Sequence, residues 1–345
     1  MIRFWDPSRQ YRKYKTELDD AWFSVMGRGD LILREDVERF EKNLAEFVGT
    51  RFAVGLSSGT DAIYLSLKAL GIGQGDEVIT SSHTFKATVG AIINAGAKPI
   101  LVDIREDGLI DPDRIEEKIT SKTKAIIPVH IAGTVCDMEK IMKIAEKYDI
   151  IIIEDSCQAM GAIKKPTTSV QCWSFYPAKI LGGYMDGGAI TTNDEKINDY
   201  IREARNHFKN TNADFGGNHR MDNLNAALLN VKFRYLSHFL ARRKEIADKY
   251  FAGLSRMKEI TLPNFQEGRV WQDWILRTEK RDELYEYLKE NGIETQKNEY
   301  PFSPEYPKLP LAAKYEAETL RLPIQPEHTD QEIDFVIRKI KDFFS

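Results

Sequence analysis

Asp155 closes the apolar run Ile150-Ile151-Ile152-Ile153-Glu154-Asp155, and Lys179 ends the run Trp173-Ser174-Phe175-Tyr176-Pro177-Ala178-Lys179. A β-branched run without alternation reads as a fully buried strand. A parallel strand delivers its last side chains to a crevice where ligands bind. An amine and a carboxylate brought to one crevice are what pyridoxal phosphate chemistry requires. The lysine holds the aldehyde as a Schiff base, and the acid keeps the pyridine nitrogen protonated so that the ring draws electrons. Each residue alone has a plainer reading: a lysine beside proline is commonly solvated, and an acid after a strand is commonly a helix cap.

Three further segments could serve such a site. Ser57-Ser58-Gly59-Thr60-Asp61 lies between a strand and a helix. There glycine admits an anion to the backbone, the helix start offers free N–H groups, and Thr60 adds a hydroxyl. The same residues are also an ordinary helix cap. They lack the lysine of a Walker A loop and the triple glycine of a dinucleotide site, so neither ATP nor NAD is favoured. In His83-Thr84-Phe85-Lys86, Phe85 either covers the face of a flat heterocycle or is a core aromatic. Gly216-Gly217-Asn218-His219-Arg220-Met221 pairs a bendable backbone with an amide and a guanidinium suited to phosphate or carboxylate; the plainer alternative is a turn before a helix.

The elements that must position these residues alternate. Residues 35–48 place Val37, Phe40, Leu44 and Phe47 at helical spacing, and Gly49 stops the helix. Strands are predicted at 52–56, 77–80, 99–103, 125–130, 150–155 and 189–192, with helices at 62–70, 87–95 and 138–147 between them. This β–α alternation calls for an α/β fold with a mostly parallel central sheet between helices. Long helices follow at 195–206 and, with few breakers before Gly253, from 222 through 254. Beyond Pro263 the pattern is mixed α+β: 271–276, a helix at 281–291, then 293–295, a Pro-rich loop from Tyr300 to Pro310 and a closing helix at 330–344. We read a large cofactor-binding domain with an N-terminal arm over 1–239 and a small C-terminal α+β domain over 240–345.

Composition narrows the function class. Of 345 residues, 42% are hydrophobic and 30% charged, enough for a large core. The formal net charge of −4 offers no basic field for nucleic acid or anionic membrane, and Arg242-Arg243-Lys244 reads as a solvated helix face. No apolar run reaches the ~20 residues of a membrane span, and the N-terminus carries no signal pattern. Cys136, Cys157 and Cys172 have no CxxC spacing, which suits a reducing cytoplasm; Cys157 reads as a small packing residue. The six histidines form no metal-binding pair, so no metal is expected.

Taken together, Ser58-Gly59-Thr60-Asp61-Ala62, His83-Thr84-Phe85, Glu154-Asp155-Ser156-Cys157-Gln158-Ala159, Ser174-Phe175-Tyr176-Pro177-Ala178-Lys179 and Gly217-Asn218-His219-Arg220 resemble, in order and spacing, the DegT/DnrJ/EryC1/StrS family. These are sugar aminotransferases of pyridoxal phosphate fold type I, and the resemblance covers nearly the whole chain. It implies that Lys179 is the Schiff-base lysine and proton-transfer base. Asp155 would pair with the pyridinium nitrogen, Gln158 would lie near the 3-hydroxyl, and Phe85 would stack on the ring. Gly59, Thr60 and Ser174 would hold the phosphate, joined by Asn218 of the partner subunit in a homodimer with shared sites. The implied reaction is ping-pong transfer of an amino group from L-glutamate to a nucleotide-linked keto-sugar, in amino-sugar or polysaccharide biosynthesis. Tyr184, His219, Arg220, Lys297 and Tyr300 are candidate substrate contacts by position. Leu181-Gly182-Gly183-Tyr184-Met185-Asp186-Gly187-Gly188-Ala189 is similar to members acting at C3 of the sugar, so a 3-keto hexose is expected, with Tyr184 helping to set the reacting carbon. The alternatives are a 4-keto sugar, a keto-cyclitol, a sugar dehydratase using the amine form of the cofactor, and a non-catalytic regulator. Dehydratase relatives replace the lysine, and a regulator has no need of both Lys179 and Asp155. Departures from the family pattern are a shortened loop at 163–168, Ile180 where asparagine is usual, and short segments at 265–271 and 299–310.

Overall fold

A computed structural model describes residues 1–163, 168–211, 214, 216–297 and 305–345. The first helices are α1 (Pro7–Lys13), α2 (Lys15–Arg28) and α3 (Glu35–Val48). The alternating body follows: β1 (Phe52–Leu56), α4 (Gly59–Ala69), β2 (Glu77–Ser81), α5 (Lys86–Asn94), β3 (Lys98–Val102), β4 (Thr123–Ile127), α6 (Met138–Tyr148), β5 (Ile151–Asp155), β6 (Val170–Ser174) and β7 (Gly188–Thr192). Then come α7 (Glu195–Ala204), α8 (Asn223–Phe233) and α9 (Leu236–Leu254), and after them β8 (Trp274–Arg277), α10 (Arg281–Glu290), β9 (Gln296–Lys297), α11 (Pro310–Glu318), β10 (Thr319–Leu322) and α12 (Asp330–Phe344).

The seven-stranded sheet runs β1-β7-β6-β5-β4-β2-β3. Every neighbouring pair is parallel except those made by β7, which is antiparallel to β1 and β6. The carboxyl ends of β1, β2, β4, β5 and β6 therefore share one edge, and the reversed β7 begins there with Gly188. On one face, Ile63 and Leu67 of α4, Ala91 and Ile92 of α5 and Ile201 of α7 cover the strands in a buried core. Elsewhere Ile141 and Ala145 of α6 join the interior of β2, β4 and β5. α3 and α8 meet Trp173 and Phe175 in another buried cluster. A second sheet, β8-β10-β9, is antiparallel, and its core joins Tyr250, Leu254, Trp274, Leu320, Ile333 and Ile2.

Several expectations change in the structure. Val48, not Phe47, completes the buried stripe of α3; Phe47 stays 39% exposed and meets Phe233 edge-on at 5.6 Å between ring centres. The long helix expected over 222–254 is two helices, broken at Arg234–Tyr235, where Tyr235 packs on Tyr14 at 4.3 Å and donates to Glu17 at 2.6 Å. A tertiary contact makes that break without a glycine or proline. Gly253 lies inside α9, where a Cβ would come within 2.6 Å of Ile337: it permits close packing rather than stopping the helix. The loop expected to end at Pro310 gives way to α11, whose first turn is capped by Asp103 through Leu311 N and Ala312 N at 3.0 and 2.9 Å. Most of the shortened loop expected at 163–168 lies outside the described residues.

Candidate active site

At the shared sheet edge a cavity of about 540 Å³ opens between the two sheets. β5 ends in two acids whose side chains point opposite ways, as strand alternation demands. Asp155 faces the cavity, is 6% exposed, and accepts from Thr88 Oγ1 at 2.7 Å and from Cys157 N at 3.2 Å. Thr88 is in turn 2.8 Å from Thr84 Oγ1, so the loop after β2 sets the carboxylate's orientation. Glu154 turns away into a buried cluster, where its carboxylate accepts from His130 Nε2 at 2.9 Å, Gln171 Nε2 at 3.1 Å and the Thr168 hydroxyl. Burial raises its pKa, but these donors outweigh burial and hold the carboxyl below its ordinary value.

The start of α4 forms one end of the cavity. Ser58 Oγ accepts from Asp61 N at 3.0 Å, so the Gly59 and Thr60 amides open the helix. A Cβ on Gly59 would lie 2.8 Å from Cys157 Sγ and 2.9 Å from Ser174 Cβ, so only glycine lets three segments converge here. Burial pushes the Cys157 thiol up, and the nearby Asp155 charge adds to this. Gln158 Oε1 accepts from Ala132 N at 2.7 Å, and Ala132 sits at φ +54° to present that N–H. Phe85, 45% exposed, stands at the cavity wall where α5 begins. Lys179 projects from the turn after β6, held by its backbone N–H donating to Tyr176 O at 2.8 Å.

Seven residues singled out in the sequence thus line one cavity: Gly59, Thr60, Phe85, Asp155, Gln158, Ser174 and Lys179. Others lie elsewhere in this chain. Asn218 pairs with Asn206 in an isolated bridge; His219 Nδ1 is 3.0 Å from Asp61 Oδ1; Arg220 Nη1 donates to Asn206 Oδ1 at 2.8 Å. Burial raises the Asp61 pKa, but donation from His219 and Ser57 prevails and lowers it. Lys297 turns to Asp282 at 2.6 Å. Tyr184, expected beside the reacting carbon, packs instead against the first helices, edge-on to Tyr11 at 6.5 Å and beneath Lys232 Nζ at 5.0 Å. Its aromatic body is satisfied by that apolar cluster. Tyr300 lies outside the described residues.

Sequence reasoning missed the opposite wall, which includes Trp5, Arg243, Gln272, Asp273, Gln296 and Arg321. Arg243 corrects a specific expectation: between Arg242 and Lys244 it is 5% exposed, and its Nη1 donates to Trp271 O and Gln272 O at 3.0 and 3.1 Å. Gln272 and Asp273, polar residues between two tryptophans in an apolar run, were the available signal. Arg321 pairs with Asp273 at 3.3 Å and donates to Gln296 Oε1 at 2.6 Å.

Residues 13–341 match the DegT/DnrJ/EryC1/StrS aminotransferase family. The chain belongs to this family. It is 38% identical to the dTDP-3-amino-3,6-dideoxy-alpha-D-galactopyranose transaminase of Aneurinibacillus thermoaerophilus, over 99% of each chain. The crystal structure of Streptomyces venezuelae DesV in complex with a ketimine intermediate superposes with a TM-score of 0.95 at 35% identity, covering 99% of this chain and 98% of that one. That of Bacillus subtilis NtdA with bound cofactor PMP gives 0.89 at 33% identity, covering 96% and 82%. The protein is a sugar aminotransferase, and pyridoxal phosphate is its cofactor. The aminotransferase's cavity fits that group: a glycine-narrowed helix start suits a phosphate, and an amine and an oriented carboxylate share the same space. Among the described residues no cluster of metal ligands and no helix long and apolar enough to cross a membrane is present.

Proposed function

We propose that this aminotransferase moves an amino group from L-glutamate to a nucleotide-linked 3-keto hexose. The observation that carries the reading is the meeting of Lys179 and Asp155 in one cavity whose far wall is polar, with Gln296 and the Asp273–Arg321 pair available to a hydroxylated substrate. Bound pyridoxal phosphate supplies the electron sink. Asp155 holds the proton on the ring nitrogen, with Thr88 and the Cys157 amide fixing its orientation. The amides of Gly59 and Thr60 and the Ser174 side chain would hold the phosphate, Gln158 would serve the ring hydroxyl, and Phe85 would cover the ring. Lys179 Nζ carries the cofactor between turnovers and moves the proton during each half-reaction.

Support for the 3-keto position comes from Asp186-Gly187, which line the cavity, and from the 3-amino product in the name of the Aneurinibacillus relative. Tyr184 carries none of it. We read the enzyme as a cytoplasmic homodimer in which the 217–220 loop of one subunit completes the site of the other. Trp22, Phe23 and Met26, 42, 68 and 50% exposed on α2, with Leu31 and Ile32 beside them, suit a subunit interface. The test is a panel of nucleotide keto-sugars incubated with glutamate and scored by the mass of the aminated product. Preference for matched 3-keto over 4-keto compounds is the expected result; a 4-keto preference overturns the position, and no amination of any member overturns the substrate class.

A further inference from the structure

Gln272 reaches across the cavity wall to both peptide groups that flank Lys179. Its Nε2 donates to Ala178 O at 3.1 Å and its Oε1 accepts from Ile180 N at 3.0 Å. The Ala178 carbonyl belongs to the peptide unit before Lys179, and the Ile180 amide to the unit after it. One planar side-chain amide therefore fixes the two rigid groups that pivot at the Lys179 Cα. Gln272 is only 7% exposed, so solvent competes little for either bond.

The clamp is itself held. Arg243 Nη1 grips the Trp271 and Gln272 carbonyls, as described, and Val270 N donates to Gly133 O at 3.1 Å. At Gly133, with φ +87°, a Cβ would come within 2.1 Å of Val270 O, so the two backbones touch as closely as glycine allows. Next to it, Ala132 N serves Gln158. Residues 270–272 thus tie the peptide carrying Lys179 to the loop that sets Gln158, and they come from the segment that leads into β8 rather than from the seven-stranded sheet.

We propose that Gln272 is a positioning residue of the aminotransferase, fixing the Lys179 backbone so that its amino group keeps one place through both half-reactions. The inference rests on the role given to Lys179 above. Chemistry at a positioned amine is sensitive to small displacements: a shift of about 1 Å costs on the order of a hundredfold. Both polar atoms of Gln272 are taken up by these two backbone bonds, so binding of the donor is expected to be spared.

The test uses the full-length holoenzyme with Gln272→Met, which keeps side-chain length and loses both bonds, and Gln272→Glu, which keeps the acceptor for Ile180 N. Stopped-flow absorbance with L-glutamate reads the first half-reaction, and a pH titration reads the visible band of the lysine-bound cofactor. For Gln272→Met the limiting rate is expected to fall about 10- to 100-fold with the glutamate KM unchanged within about threefold. The midpoint of the band should move by at least about half a pH unit, since the amine no longer sits in one geometry. Gln272→Glu should fall between Met and wild type in rate. A Met variant with wild-type rate and midpoint overturns the proposal. So does a variant that merely melts earlier while its folded fraction keeps wild-type kinetics. A wild-type protein lacking a borohydride-sensitive band removes the role of Lys179 instead, and the clamp with it, so the two failures are told apart.

Discussion

Lys179→Ala takes away the amine and leaves a half-buried turn intact. No transamination and no borohydride-sensitive absorbance are expected, with a melting temperature close to wild type; a retained band with normal turnover would count against the assignment. Asp155→Asn should bind cofactor yet lose roughly a hundred- to a thousandfold in single-turnover rate, because an amide cannot hold the ring-nitrogen proton. Thr88→Val removes one donor to Asp155 and should cost about tenfold in the same assay, the size of one hydrogen bond to a charged group. Asp155 and Gly59 were legible because each ends or follows a strand that the apolar pattern predicts. Ser174 and Lys179 end and follow β6, which the pattern did not predict, and were legible from the chemistry of an amine near a carboxylate and from the resemblance of their run to the family. Arg243 and Gln272 were not, because they enter the site from the second layer, and helix or strand periodicity reports burial on one element rather than convergence of two. Asn218 lies on the other side of that limit: among the described residues it pairs with Asn206 and does not line the cavity.

Elements were readable in proportion to how strongly one face is apolar. β1 through β5 and α3 through α6 follow the predicted ranges within a few residues, since buried β-branched runs and clear amphipathic stripes leave few alternatives. α2 escaped because only Leu18 and Val25 are buried, while its larger apolar side chains face outward. β10 escaped because the middle strand of the small sheet is only Thr319–Leu322, too short for a pattern. α1 and α12 are joined by a bidentate pair, Arg9 Nη1 and Nη2 to Glu332 at 2.8 and 2.7 Å. Donation from Arg9 is the main cause holding the Glu332 carboxyl down to about 2; burial opposes it, and the Thr329 amide and the Arg9 charge assist. A carboxylate lowered on folding stabilises fully above its unfolded value of 4.5, and that contribution is lost as pH falls toward 2. Glu332→Gln, which can retain the capping contact to Thr329, should therefore lower the melting temperature by about 2 °C near pH 7, a surface-pair effect of about 1 kcal/mol. The difference between variant and wild type should shrink progressively between about pH 4.5 and pH 2. A difference that stays constant over that window would show that the pair is not what joins these helices.

The whole molecule is expected to work as a dimer. Mixing Lys179→Ala with Asn218→Ala subunits, each inactive alone, should restore activity, because a mixed dimer holds one intact and one doubly damaged site. Absence of complementation in dimers shown to have exchanged subunits would sink the shared-site reading. Phe23→Asp with Met26→Asp should lower the mass seen by light scattering from dimer toward monomer; an unchanged dimer would place the interface elsewhere. The arm that leads into α1 has a further consequence, for the order in which the protein can be completed. Phe4 and Trp5 are part of the cavity wall, yet the arm is secured by late residues: Ile2 bonds with Gly292 and Glu294, and Asp6 exchanges two backbone bonds with the Gln325 side chain, 319 residues away. At about 5–20 residues per second, these first residues wait tens of seconds on the ribosome for their partners. The seven-stranded sheet can form meanwhile, but the wall closes only after residue 325 has emerged. Completion of the pocket that takes the cofactor is thus a late event of biosynthesis.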